Sequence, residues 1–222
     1  DIKNDLEESW EKIENRLAEI VTLEGFQYLG GDTSGFKGPY IWKKTKKKNY
    51  NIRLPEGTEK YSVYWMYGFI SRSWMAYISL NRLGTGGWAD ENNELYCVAK
   101  TNRKRMLSSS FWMNFLKHEA QHSWDLNHIK GITGGQLEYR AKLVELIYSK
   151  KTLKTFYKFL LEANKSDTEN THCIASFRLI QDLSKKIFDR EYEDDINIWK
   201  KHKKEIRLAS STLLNQDTSI LI

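Results

Sequence analysis

The chain has 222 residues, a formal net charge of +6 and a sequence pI of about 9.1. That length can bury a sizeable core without staples, as one domain or one domain with a helical extension. An ordinary balance of 40% hydrophobic and 29% charged residues excludes a disordered chain, and no run of about 18 apolar residues exists to span a membrane.

Residues from about Lys3 to Leu23 read as an amphipathic helix, with Leu6, Trp10, Ile13, Leu17, Ile20 and Val21 at helical spacing. Gly25, Gly30-Gly31, Gly35 and Gly38-Pro39 then break the pattern. Asn51–Leu54, Tyr61–Tyr67, Trp74–Leu80 and Glu94–Val98 are rich in aromatic and β-branched residues and are predicted strands. They are bounded by Pro55-Glu56-Gly57, Gly68 and Gly84-Thr85-Gly86-Gly87. From Ser108 the chain turns helical, over about Ser109–Asn127, Gly134–Ser149, Thr152–Ala163, His172–Asp189 and Glu191–Ser211. Strands first and helices after predict an α+β protein, divided near residue 107 into a helix-plus-sheet region and a helical region.

His118-Glu119-Ala120-Gln121-His122 carries the chemistry. Histidines at i and i+4 stand one above the other on a helix, so both imidazoles reach one metal ion, and the glutamate beside the first is placed to hold a metal-bound water. This is the H-E-x-x-H pattern of zinc hydrolases. Ser108-Ser109-Ser110 offers N-caps for the helix. At about 100° per residue, Asn114, Lys117, Gln121 and Asp125 form its only polar sector. Phe111, Trp112, Met113, Phe115, Leu116, Ala120, Trp124 and Leu126 fill most of the rest, with His118 and His122 at the border and Glu119 directed into the apolar arc. A buried carboxylate is costly alone, and a metal-bound water is one way to compensate it.

Catalytic zinc takes three protein ligands and a water. His128 is six residues past His122, the metzincin register, but Asp125 stands where that pattern has its glycine, and the Met-turn is absent because Met66, Met75, Met106 and Met113 all lie upstream of His128. Glu138 and Glu145 share a face of the next helix, which Thr133-Gly134-Gly135-Gln136 opens as a capping box. They are two turns, about 10 Å, apart, so one ion cannot take both. Spacing leaves Glu138 open between a ligand role and an i, i+4 ion pair with Lys142. Asp125 is a candidate to orient a ligand imidazole, and Tyr139, Arg140, Tyr148 and His128 are candidate oxyanion donors.

His118 to Asp125, followed by Leu137-Glu138-Tyr139-Arg140-Ala141-Lys142-Leu143, resembles bacterial zincin-type metallopeptidase-like proteins over roughly Tyr61 to Tyr148. The resemblance implies a zincin-like catalytic domain with an N-terminal mixed or antiparallel sheet, an active-site helix and a helical C-terminal part. It implies gluzincin-like zinc ligation by His118, His122 and Glu138, with Glu119 as the catalytic carboxylate. Gly84 to Ala89 falls where such proteins have the edge strand lining the cleft. The Asn-Glu-x-x-x-Asp pattern of thermolysin-like gluzincins is missing.

The expected function is zinc-dependent peptide-bond hydrolysis on a peptide or protein substrate. The rival is a non-catalytic zincin scaffold that binds a peptide or envelope polymer, in which Glu119 would have no task. Lys43-Lys44-Thr45-Lys46-Lys47-Lys48 and Lys200-Lys201-His202-Lys203-Lys204 read as one solvated loop and one solvated helix face, and with no accompanying motif no nucleic acid is expected. Cys97 and Cys173 suit one disulfide or two quiet thiols. Asp1 opens the chain with neither methionine nor an apolar leader, as after removal of a signal peptide or trimming, and an extracellular or cell-envelope setting is expected ahead of a cytoplasmic one.

Overall fold

The computed structural model describes residues 2–33, 36–90, 92–99, 108 and 111–222, and the side chains among them except those of 2–7, 32, 33, 36 and 114. Gly35, Met106, Ser109 and Ser110, and the side chains of Leu6 and Asn114, lie outside the described residues. The protein is α+β, and its chain divides into two compact units. One comprises Asp1–Asn49, Ser62–Trp88 and Leu95–Arg103; the other comprises Tyr50–Tyr61, Ala89–Glu94 and Lys104–Ile222.

The first unit opens with α1 (Ile2–Leu23). Gly25, at φ +82°, ends it in a Schellman turn: Phe26 N–H reaches Val21 O at 3.1 Å and Gly25 N–H reaches Thr22 O at 3.0 Å. Helix α1 packs on β1 (Gln27–Leu29), and β2 (Asp32–Thr33) and β3 (Phe36–Lys37) form a small ribbon. Strands β4 (Tyr40–Arg53) and β5 (Thr58–Arg72) are long, and with β6 (Gly87–Ala89) and β7 (Glu94–Val98) they complete a sheet ordered β1-β4-β5-β7-β6. Tyr40, Trp42, Met66, Trp88 and Val98 form its buried cluster.

The lysine run at 43–48 is strand rather than loop. Among the described residues β1 pairs only with Tyr40–Trp42, so beyond Trp42 no described strand covers that side of β4. Exposed lysines on such a side resist pairing with another chain. Trp74–Leu80, expected as a strand, instead begins with the short helix α2 (Trp74–Ile78). Ser73 Oγ accepts Ala76 N–H at 3.2 Å, and this cap decides a segment whose apolar pattern fits either structure.

In the helical unit, Trp112–Lys117 is π-helical and runs directly into α3 (His118–His128). Ser108 Oγ accepts Phe111 N–H at 3.2 Å, in keeping with the expected cap. Then follow α4 (Gly134–Tyr148), α5 (Thr152–Glu162), α6 (Thr171–Phe188), α7 (Ile196–Trp199) and α8 (Lys203–Leu221). Helix α4 is buried from Tyr139 to Leu146 and packs against α3, α6 and α8. The expected Glu191–Ser211 helix is split, because Asp195 caps α7 and Trp199 is drawn into the core against Phe156 and Phe188. The second lysine run therefore spans the α7–α8 break instead of one helix face. Cys97 and Cys173 are free thiols. No helix among the described residues is long and apolar enough to cross a membrane.

Candidate metal centre

Helices α3 and α4 build the site. His118 opens α3 and His122 follows one turn later, their Nε2 atoms 3.0 Å apart. Thr133 forms the expected capping box with Gln136, which starts α4 at Gly134 and sets Glu138 in its early turns. The Glu138 carboxylate meets both rings: Oε2 is 3.5 Å from His118 Nε2 and Oε1 is 3.4 Å from His122 Nε2. Ligand atoms of His118, His122 and Glu138 all lie within 4.8 Å of one another, the one such group found among the described residues.

These separations fit a tetrahedral cation. Zinc–ligand bonds of about 2.0–2.1 Å at tetrahedral angles place neighbouring donors about 3.3 Å apart. The two Nε2 atoms are 3.0 Å apart, and each ring has one oxygen of the Glu138 carboxylate at 3.4–3.5 Å, so a small turn of that carboxylate offers one oxygen to an ion between the rings. The donor chemistry agrees. Glu145 Oε1 lies 2.9 Å from His118 Nδ1; the tautomer that donates Nδ1–H to Glu145 is the one whose Nε2 lone pair faces His122 and Glu138, as a metal ligand requires.

The electrostatics are concentrated on the same groups. Burial pushes the Glu119 carboxyl up from its ordinary value, outweighing the opposing pull of His118 and His122. Burial would lower His122, but hydrogen bonding and charge from Glu138, then Glu119 and Asp125, raise it. Burial would likewise raise Glu138, yet His122, His172 and His118 hold it far below the usual carboxylate range.

The other sequence candidates have different partners. His128 stacks on Trp124, its Nδ1 2.7 Å from Trp124 O, and it is not in the metal-capable group. Glu145, considered as a third ligand, instead grips the far nitrogen of His118. Asp125, considered as an imidazole orienter, is fully buried and accepts from Arg140 Nε at 2.8 Å and Gln121 Nε2 at 2.9 Å. Arg140 is also fully buried, donating to Glu56, Asp217 and Thr218 as well. Tyr139 donates to Asp182 at 2.7 Å, and the Tyr148 ring carries the Lys117 ammonium 3.6 Å from its centre. Glu138 does not pair with Lys142, which is buried against Glu162 at 2.5 Å.

The helical wheel misjudged one face. Gln121 and Asp125 are the most buried part of the supposed polar sector, while Trp112 and Leu126 are exposed. Asp125 is buried as an acceptor for Arg140, and Gln121 is buried beside it, donating to Asp125 and Glu56. The π-helical turns before His118 also break the assumption of 100° per residue. One site residue went unseen: His172, capped into α6 by Asn170, sets its Nδ1 2.8 Å from Glu138 Oε2. It lies 34 positions from Glu138 (172 − 138), and no spacing rule connects them. No protein-family model, curated protein or solved structure matches the chain.

Proposed function

We propose that this chain is a zincin-like, zinc-dependent hydrolase of peptide bonds. The observation carrying the reading is the convergence of His118, His122 and Glu138 from two helices, with the Glu119 carboxyl near enough to feel the charge of all three. Two imidazoles and one carboxylate are the ligand set of His₂Glu zinc hydrolases and leave a fourth position for water or substrate. Bound zinc supplies Lewis acidity, which makes water acidic near pH 7 and polarises a carbonyl.

The remaining roles fall to the chain's own residues. Glu145 fixes the tautomer and orientation of His118 through Nδ1, and His172 meets Glu138 at Oε2, the oxygen that faces His118, which leaves Oε1 towards His122. Glu119 accepts the proton of the attacking water and delivers it to the leaving amine. A carboxyl whose enclosure raises its affinity for protons suits both halves of that transfer.

The test is elemental mass spectrometry on the dialysed protein together with Glu119→Gln. The expected result is one zinc per chain in both proteins, with turnover of a peptide library lost in the variant. Absence of stoichiometric zinc, iron in its place, or equal turnover by Glu119→Gln overturns the reading.

A further inference from the structure

Between Trp74 and Leu83 the first unit exposes a run of large apolar side chains. Trp74 and Met75 are each 43% exposed, Leu83 54%, Tyr77 and Ile78 73% and Leu80 80%. Single exposed apolar residues are ordinary on a protein surface, but six within ten consecutive positions mark an interaction site. The segment is well tied. Ser73 caps α2, Ser79 Oγ accepts Leu83 N–H at 3.0 Å, and Arg72 Nη2 donates to Asn81 Oδ1 at 3.0 Å across its two ends. Leu80 sits at φ +51°, a conformation uncommon for an apolar side chain, so the fold holds an outward leucine against its backbone preference.

Charge and composition select the partner. No acidic residue occurs between Glu59 and Asp90, whereas Arg72 and Arg82 flank the apolar run. A two-fold contact between copies would set this patch against itself, with Arg72 and Arg82 opposed by their own copies and no carboxylate of the segment to offset them. At five residues, α2 is too short to present the i, i+3, i+4, i+7 anchors of a helix bound in a protein groove. A bilayer surface has no such requirements. Its headgroup region favours Trp and Tyr, its acyl boundary accepts Ile, Leu and Met, and anionic lipids pair with arginine.

We propose that the Trp74–Leu83 segment docks this protein on an anionic bilayer surface. The side chains of Trp74, Tyr77, Ile78 and Leu80 enter the headgroup–acyl boundary, and Arg72 and Arg82 meet lipid phosphates. The inference stands apart from the metal centre and does not depend on it.

Flotation of the full chain tests it, with vesicles of about seven parts phosphatidylcholine to three parts phosphatidylserine and with phosphatidylcholine alone. The wild-type chain is expected to float with the anionic vesicles, less so with neutral ones, and to be released in part by high salt. The double variant Ile78→Asp/Leu80→Asp is expected to lose about tenfold or more of that partition. Both sites are exposed, and aspartate tolerates the left-handed backbone at position 80 better than leucine. Circular dichroism confirms its fold, and Tyr77→Ser provides a second, milder variant with a smaller loss. His118→Ala/His122→Ala is expected to float like the wild type. The proposal is overturned if the wild type ignores anionic vesicles, or if Ile78→Asp/Leu80→Asp binds them equally well. It is equally overturned if the patch instead drives a lipid-independent dimer that the double variant dissolves.

Discussion

Replacing Arg140 by leucine tests whether the buried charge network holds the helical unit together. The guanidinium is fully buried and makes four hydrogen bonds: Nε to Asp125 at 2.8 Å, Nη1 to Asp217 at 3.2 Å, and Nη2 to Glu56 at 3.2 Å and Thr218 at 3.0 Å. In the variant Asp217 keeps Arg178 at 2.9 Å, but Asp125 keeps only the Gln121 amide. Breaking a buried ion pair from one side costs about 3–5 kcal/mol, a large part of the roughly 5–15 kcal/mol that stabilises a domain. At this chain length that lowers the thermal midpoint by on the order of 10 °C. The pH dependence makes the prediction specific. Burial raises Asp125 to about 6 from its ordinary 3.8, against the opposing pull of Arg140. A raised carboxyl contributes stability that is fully present below the unfolded value and lost as pH rises through the folded one. At pH 5 Asp125 is mostly neutral and needs Arg140 less, so the variant's loss should be smaller at pH 5 than at pH 8. Urea unfolding followed by circular dichroism at the two pH values measures both. A loss below about 1 kcal/mol, or one that grows towards pH 5, refutes the account.

Among the ligand positions, Glu138→Ala should cut zinc affinity severely while His128→Ala changes it little, as read by competition with a chromophoric chelator. Glu145→Ala should weaken zinc binding by about 10–100-fold without removing a ligand. Cobalt substitution should show this as an altered visible spectrum, since His118 loses the group that orients it. Glu119→Gln should keep the metal and the fold but lower hydrolysis by about 10²-fold or more, measured as kcat on a peptide substrate.

What the sequence made legible is local in origin. The i, i+4 histidines, the Thr133–Gln136 capping box, the glycine stop after Leu23 and the bounds of Glu94–Val98 each depend on residues within a turn or two of one another. What stayed hidden is set by partners far along the chain. A polar stripe such as Gln121 and Asp125 looks the same on a wheel whether it meets water or, as here, the buried group that joins it to Arg140 and Glu56. Glu145 was recognisable as facing the site, but its distance along α4 gave no sign that it would take Nδ1 of His118 while Glu138 approached Nε2. His172 comes from a third helix, and Trp74–Ile78 was misread because one serine cap outweighs an apolar pattern that suits a strand equally well.

Helix α4 approaches His118 at both ring nitrogens, with Glu138 at 3.5 Å from Nε2 and Glu145 at 2.9 Å from Nδ1. The two carboxylates are seven residues, about 10 Å, apart on one rigid rod. A slide of that rod along its axis draws one carboxylate off the ring as it pushes the other against it, so the imidazole works as a gauge of where α4 sits. Substitutions far from the site that reseat α4, at the Thr133 cap or at buried Lys142 and its partner Glu162, should therefore register first in metal affinity, before any loss of helix content.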